Sequence, residues 1–244
     1  GIGNSFYTIK LNGEKIKKER EVSNHEEAVK ILTEELLENK VVSSLDEIEA
    51  IGHRMVHGGD KYQTSTIIDE DVIKSSEELL ELAPIHIPAN LTGVRAFQKI
   101  IPNATAVAVF DTSFHQTLPK EAYIYPVPYE WYEKYGVRKY GFHGTSHKYV
   151  SMRMNEILGR TDTKIITCHI GSGGSISAVL NGKSIDTSLG FTPNAGIVMG
   201  TRSGDIDALI IPFIMKKENL TISEVDNILN KKSGLLGISK KYSD

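Results

Sequence analysis

The chain has 244 residues and a formal net charge of −3, enough for one large domain or two small ones with proper cores. That balance leaves no basic footprint for nucleic acid, and no apolar run approaches the length of a membrane span. The single cysteine, Cys168, excludes an internal disulfide and leads us to expect a reducing, cytoplasmic setting.

In chain order, Gly1-Ile2-Gly3 is no natural start, and both ends are expected to lie inside a longer protein. Ser5 to Leu11 reads as a strand, Asn12-Gly13 as a hairpin turn, and Glu14 to Val22 as the return strand. Ser23 and Glu26 have capping-box spacing ahead of a helix whose apolar face carries Val29, Leu32 and Leu36. Ile48 to Val56 reads as a buried strand and Glu70 to Leu82 as a helix. Pro84 and Pro88 predict an extended segment from Ala83 to Asn90, holding His86, before a helix from Leu91. Ala104 to Phe110 is an apolar strand ending at Asp111.

A Tyr- and Pro-rich connection, Tyr123 to Tyr135, leads into the second half. There Lys139 to His147 packs two histidines, two glycines and two hydroxyl residues ahead of a helix running to about Leu158, with Thr145 or Ser146 as its expected N-cap. Strand Lys164 to His169 is broken from strand Ile176 to Leu180 by Gly171 to Ser175, and Asn181-Gly182 turns into Lys183 to Asp186. Cys168 is expected to be a buried, inert thiol. A long glycine-bearing loop, Thr187 to Asp205, precedes helices at Ile206 to Lys216 and Thr221 to Lys231, the latter with a Thr221/Glu224 capping box. Strands alternating with helices predict an α/β fold with mostly parallel pairing.

Seven of the eight histidines lie between His53 and His169, at strand ends and in Gly/Pro loops, as do Arg54, Asp111 and Arg202. Ligands bind at strand ends in α/β sheets. Two arginines suit bidentate grips on carboxylate or phosphate, a glycine loop offers N–H groups to phosphates, and an aspartate at a strand end can hold Mg²⁺. These are the parts of phosphoryl transfer, in which positioning and electrostatics do most of the catalysis. Rival motifs fail. Gly182-Lys183-Ser184 has Ser177 where a P-loop needs glycine, Gly171-Ser172-Gly173 lacks a third glycine at Ile176, and His53/His57 and His143/His147 lack the glutamate of a zinc-protease helix.

The runs Gly52–Gly59 (GHRMVHGG), Leu82–Asn90 (LAPIHIPAN), Val109–Thr117 (VFDTSFHQT), Arg138–His147 (RKYGFHGTSH), His169–Ser175 (HIGSGGS), Asp186–Pro193 (DTSLGFTP) and Gly200–Asp207 (GTRSGDID) are collinear. In them the chain resembles the acetokinase family, within the acetate and sugar kinase, heat-shock protein and actin superfamily. The resemblance implies ribonuclease H-like duplicated α/β domains, both incomplete: a first over residues 1–113 and a second over 114–244. It implies reversible, Mg²⁺-dependent phosphoryl transfer from ATP to acetate, and a homodimer for the full-length protein. Arg54 and Arg202 would hold the carboxylate and the phosphoryl oxygens. Asp111 would act at the Mg²⁺, and His143 at the transferring phosphoryl, with His86 and His169 lining the site. Val56, Ile85, Phe142 and Pro193 would form the methyl pocket. His169, Ile170, Gly171, Ser172 and Gly173 would bind nucleotide phosphates, and His147 would be a supporting residue.

Departures from the family pattern are Ile87 for Asn, Asn194-Ala195 for Leu-Glu and Ala208 for Pro, none of which removes a charged group. The family's first phosphate loop, adenosine pocket and magnesium-assisting glutamate are not found, so the stretch alone is expected to be inactive. A propionate or butyrate kinase and a non-catalytic nucleotide-binding relative are the alternatives.

Overall fold

A computed structural model describes residues 6–83 and 86–244. Within them the chain divides into two compact units, one made of residues up to Met55 with Ser65–Val109, the other of Val56–Thr64 with Phe110–Asp244.

In the first unit, β1 (Phe6–Leu11) and β2 (Glu14–Glu19) form a hairpin whose turn residues Asn12 and Gly13 have φ of 49° and 89°. Those are the left-handed values that a tight hairpin demands and that Asn-Gly tolerates. Ser5, expected to open β1, lies outside the described residues. Helix α1 (His25–Glu38) is capped by the Asn24 side chain accepting from the Glu27 N–H, so the cap is Asn24 and not Ser23. Both pairs have the same three-residue spacing, and the backbone at Asn24 takes the extended cap conformation.

A three-stranded sheet follows, with β5 between β3 and β4: β3 (Ala50–Met55), β4 (Thr66–Ile67) and β5 (Thr105–Phe110). β3 alternates in exposure instead of being buried throughout, because only one of its faces is covered. α2 (Glu70–Glu78) starts at the Asp69 cap, and α3 (His86–Ile100) buries Ile87, Leu91, Val94 and Ala96.

The extended segment expected over residues 83–90 is thus helical from His86 onward. Pro88 sits in the first turn of α3, where backbone N–H groups have no intrahelical acceptor, so its missing donor costs nothing there.

The second unit carries α4 (Lys120–Tyr123), α5 (Tyr129–Tyr135), α6 (Gly144–Leu158), the sheet β6 (Lys164–Ile170), β7 (Gly174–Leu180) and β8 (Lys183–Thr187), and then α7 (Ile210–Glu218), α8 (Ile222–Lys231) and α9 (Gly234–Ser239). The Tyr-rich connection therefore contains a helix, closed by Gly136 at φ 64°. The Thr221/Glu224 capping box of α8 forms as the spacing predicts.

The β1–β2, β4–β5, β6–β7 and β7–β8 ladders are antiparallel, against the mostly parallel pairing expected, while β3 and β5 are set start to start by the Thr105 N–H donating to the Glu49 carbonyl. The connections explain the second unit's pairing. β6, β7 and β8 follow one another through turns of two or three residues, and a parallel crossover needs a dozen or more.

Candidate active site

The geometry starts where β5 ends. Asp111 is 1 % exposed, and its backbone carbonyl accepts from the Gly144 N–H at 2.9 Å, docking the start of α6 directly against it. His143 is the N-cap of α6, in the left-handed region at φ 59°, so neither Thr145 nor Ser146 caps the helix. Only glycine permits this approach. A Cβ at Gly144 would stand 2.3 Å from the Asp111 carbonyl oxygen, an atom no rotamer change can move. Gly144→Ala is therefore expected to destabilise the fold by about 1–3 kcal/mol, although alanine is the better helix former. A urea midpoint equal to or above that of the parent would remove the argument.

Around His143 lies a buried set of imidazoles and hydroxyls. His143 Nδ1 lies 2.8 Å from Ser175 Oγ, which also meets His147 Nε2 at 2.7 Å. His147 Nδ1 meets Thr167 Oγ1 at 2.7 Å. The His143 ring stacks on His169, with centroids 4.0 Å apart, and His169 Nδ1 lies 2.9 Å from Ser146 Oγ. His115 holds the far side, Nε2 to the Phe142 carbonyl at 2.9 Å and Nδ1 to Ser184 Oγ at 2.8 Å. Burial lowers His115 to about 4 and His147 to about 3, so both are neutral at pH 7.

Arg202 forms the second wall. Its Nη1 donates to the Pro193 carbonyl at 2.7 Å and lies 3.7 Å from Met199 Sδ. Met199 packs with Phe142 and Leu189, all three buried, and Val56 rests against that cluster. The glycine turn between β6 and β7 meets the same guanidinium, since a Cβ on Gly173 would lie 3.4 Å from Arg202 Nη2. Gly171 N–H donates to the Gly173 carbonyl, and Gly200 N–H to that of Ser172, tying the turn to the Arg202 loop. Half-burial lowers the Arg202 pKa from its ordinary value, and the guanidinium stays charged. The result is a fixed cation between an apolar patch and a turn of small residues.

The second unit thus carries Asp111, His143, His169, Arg202, Val56, Phe142, Pro193 and the 170–173 turn. Arg54 and His86 belong to the first unit, Arg54 exposed near the end of β3 and His86 exposed at the first residue of α3. Ile85 lies outside the described residues. Cys168 is exposed, not buried, because it shares the outward face of β6 with Ile166 and Ile170 while Thr167 points inward.

Sequence reasoning missed Thr167, Ser175, Leu189 and Met199. For Ser175 a usable signal was present: Ser175 and Ser177 alternate with Ile176 and Ala178, marking a strand that turns its hydroxyls inward. A cavity of about 500 Å³, lined by Lys139, Ile176, Ala178, Asp186, Ile197 and Asp205 among others, opens on the other face of β7 and holds none of the expected site residues.

A family model described as the acetokinase family matches residues 1–244. The acetate kinase of Bacillus subtilis (strain 168) is 56 % identical over 246 aligned positions, covering 100 % of this chain and 62 % of the relative. That of Geobacillus kaustophilus is 55 % identical with the same coverage. The chain therefore spans about three-fifths of the length of these curated relatives. Among solved structures, Porphyromonas gingivalis acetate kinase superposes with a TM-score of 0.90 at 48 % identity, over 99 % of this chain and 62 % of that one. A propionate kinase from Francisella tularensis superposes with a TM-score of 0.93 at 45 % identity, over 100 % and 62 %.

Proposed function

The chain belongs to the acetokinase family, and on that premise we propose that the protein carrying it transfers a phosphoryl group reversibly between Mg·ATP and acetate, giving acetyl phosphate and ADP. The observation that supports this best is the second unit's Arg202, held between the Val56–Phe142–Met199 patch and the Gly171–Gly173 turn. A small carboxylate with a methyl tail, meeting a phosphate, needs that combination: an apolar seat, a permanent cation and backbone that a phosphate can approach.

Acetate is already ionised at neutral pH, so its attack on phosphorus needs no strong base. The difficulty is bringing two anions together. Arg202, with Arg54 from the first unit, is assigned to the carboxylate and the phosphoryl oxygens, which the planar fork of a guanidinium matches in pairs. His143 donates to the charge that develops on the transferring group, and His169 and His86 line the site. His169 to Gly173 take the nucleotide phosphates.

Among the described residues no group of three or more His, Cys, Asp or Glu could form an all-protein metal cage. A buried carboxylate such as Asp111 suits Mg²⁺, which keeps waters and takes one or two carboxylates beside substrate phosphates. When bound, the ion would neutralise phosphate charge.

We assign residues 1–113 and 114–244 to the family's two domains and the full-length protein to a cytoplasmic homodimer. No described helix is long and apolar enough to cross a membrane.

The test is acetyl phosphate formation by the full-length protein from ATP and acetate; absence of turnover with any short carboxylate would reject the reading. Propionate is the competing substrate, because a solved propionate kinase shares the fold. Phe142 and Met199, each 2 % exposed, leave the patch little freedom to recede. We expect kcat/KM to favour acetate by roughly tenfold, the low end of what one methylene is worth. Equal or inverted values would move the assignment to the longer acid.

A further inference from the structure

We infer that a directional chain of hydrogen bonds, from Thr167 through His147 and Ser175, holds His143 as the neutral tautomer with its proton on Nε2. Thr167, His147 and Ser175 are then positioning residues for His143. The consequence for catalysis rests on the phosphoryl-transfer reading; the tautomer itself does not.

Three short contacts link four side chains: Thr167 Oγ1 to His147 Nδ1 at 2.7 Å, His147 Nε2 to Ser175 Oγ at 2.7 Å, and Ser175 Oγ to His143 Nδ1 at 2.8 Å. Thr167 and Ser175 are 2 % and 0 % exposed. A neutral imidazole has one donor and one acceptor, and a hydroxyl has one proton to give. Burial keeps His147 neutral, so it cannot donate from both nitrogens. One arrangement has Ser175 accept from both rings on its two lone pairs, which leaves its own proton, on a side chain 0 % exposed, without another hydrogen-bond acceptor among the described residues. In the two arrangements that remain, the protons all point one way along the chain.

In the first, Thr167 donates to His147 Nδ1, His147 Nε2–H donates to Ser175, and Ser175 donates to His143 Nδ1. Every proton sits in a contact of 2.7–2.8 Å. In the second, all three reverse, and the Thr167 hydroxyl must find another acceptor. The one it has is the Ser177 carbonyl at 3.4 Å, outside the about 2.5–3.0 Å of a good O–H···O bond. That arrangement leaves a buried donor nearly unmet, the costly outcome. The first arrangement wins, and it places an acceptor on His143 Nδ1 and the proton on Nε2.

The stacking of His143 on His169, with ring centroids 4.0 Å apart, fixes the ring in place. His143 can then donate to a developing phosphoryl charge without first taking up a proton. It does so with its ring fixed and its tautomer set before substrate arrives.

The experiment is long-range ¹H–¹⁵N correlation on ¹⁵N-histidine-labelled protein at pH 7.5, with His143 and His147 assigned by the signals lost in His143→Gln and His147→Gln. Both rings are expected to carry the proton on Nε2 with a bare Nδ1. A proton on Nδ1 of either ring overturns the proposal. Ser175→Ala should shift the His143 Nδ1 resonance toward that of a nitrogen without a hydrogen bond, and Ser175→Thr should restore it. An unmoved resonance in Ser175→Ala also overturns it.

In the full-length protein Ser175→Ala is expected to lower kcat roughly tenfold with little change in KM for acetate, as when the partner orienting a functional histidine is removed. If Ser175→Ala does not fold, the spectrum of the unaltered protein decides alone. If that spectrum shows the expected tautomers but the unaltered protein makes no acetyl phosphate, the relay stands and the kinase reading falls. If the unaltered protein makes acetyl phosphate with the His143 proton on Nδ1, the kinase reading stands and the relay falls.

Discussion

Arg202→Ala in the full-length protein should lower kcat by about 10²–10³-fold, the effect of removing one preorganised charge-stabilising donor, ~2.7–4 kcal/mol. The structure argues for a role in the chemistry beyond a loop tether. One nitrogen is committed to the Pro193 carbonyl at 2.7 Å, which aims the guanidinium instead of leaving it to solvent. A Cβ on Gly173 would stand in ordinary contact with the guanidinium, 3.4 Å from Nη2, and Met199 lies beside it at the edge of the apolar cluster. A half-buried cation held there meets an anion with less screening than a surface arginine would.

Arg202→Lys keeps the charge but loses the fork, so it should recover only part of the rate. A tether alone would predict a lowered thermal midpoint with kcat preserved. Near-parent turnover in Arg202→Ala would remove this residue from the catalytic set. The same experiment on Arg54 and Asp111 tests their assigned roles.

Acid should unfold this protein at a higher pH than its carboxylates alone would dictate. His57, His115 and His147 are each at most 1 % exposed, and burial lowers them from 6.5 to about 4, about 4 and about 3. The folded state therefore refuses protons that the unfolded chain takes up. The sign follows: stability is whole above pH 6.5 and is lost as pH falls from there toward 4, and for His147 toward 3. His57 shows why the penalty is real. Its Nδ1 accepts from the Gly59 N–H at 2.9 Å, while its Nε2 is buried without a hydrogen-bond partner, edge-on to the rings of Tyr140 and Phe142. A charge placed there meets no acceptor.

Between pH 7.5 and 5.0 the three together should remove on the order of 5 kcal/mol, at about 1.4 kcal/mol per pH unit for each fully engaged group. That is a large share of the roughly 5–15 kcal/mol of a typical domain. Urea unfolding at the two pH values measures it, and equal stabilities would mean that these histidines are hydrated in solution.

Some of this was legible from residues alone because it is local. Asn12-Gly13 and Thr221/Glu224 behave as their spacing predicts, since a turn or a cap is decided within a few residues. The polar runs around Asp111, His143 and Arg202 stood out because strand ends and glycine loops are poor places for such residues unless they bind something. Other features were decided beyond the reach of local pattern. Pro88 reads as a helix breaker until its position in the first turn of α3 is known. Cys168 reads as buried until the face of β6 that packs inward is known.

By itself, then, the sequence determined an α/β protein of the acetokinase family, with its strand-end histidines, arginines and aspartate and its glycine turn between β6 and β7. Those properties are set by residue type and short spacing. Only the tertiary structure decided the antiparallel pairing of β6, β7 and β8, the His143 cap against Asp111, the seat of Arg202 beside Met199, and the Thr167–His147–Ser175–His143 line. The links of that line alone join residues 20, 28 and 32 positions apart in the chain. The physical reason is that a side chain's charge, tautomer and reach depend on which groups folding buries beside it, and those groups come from strands and loops that the local pattern does not connect.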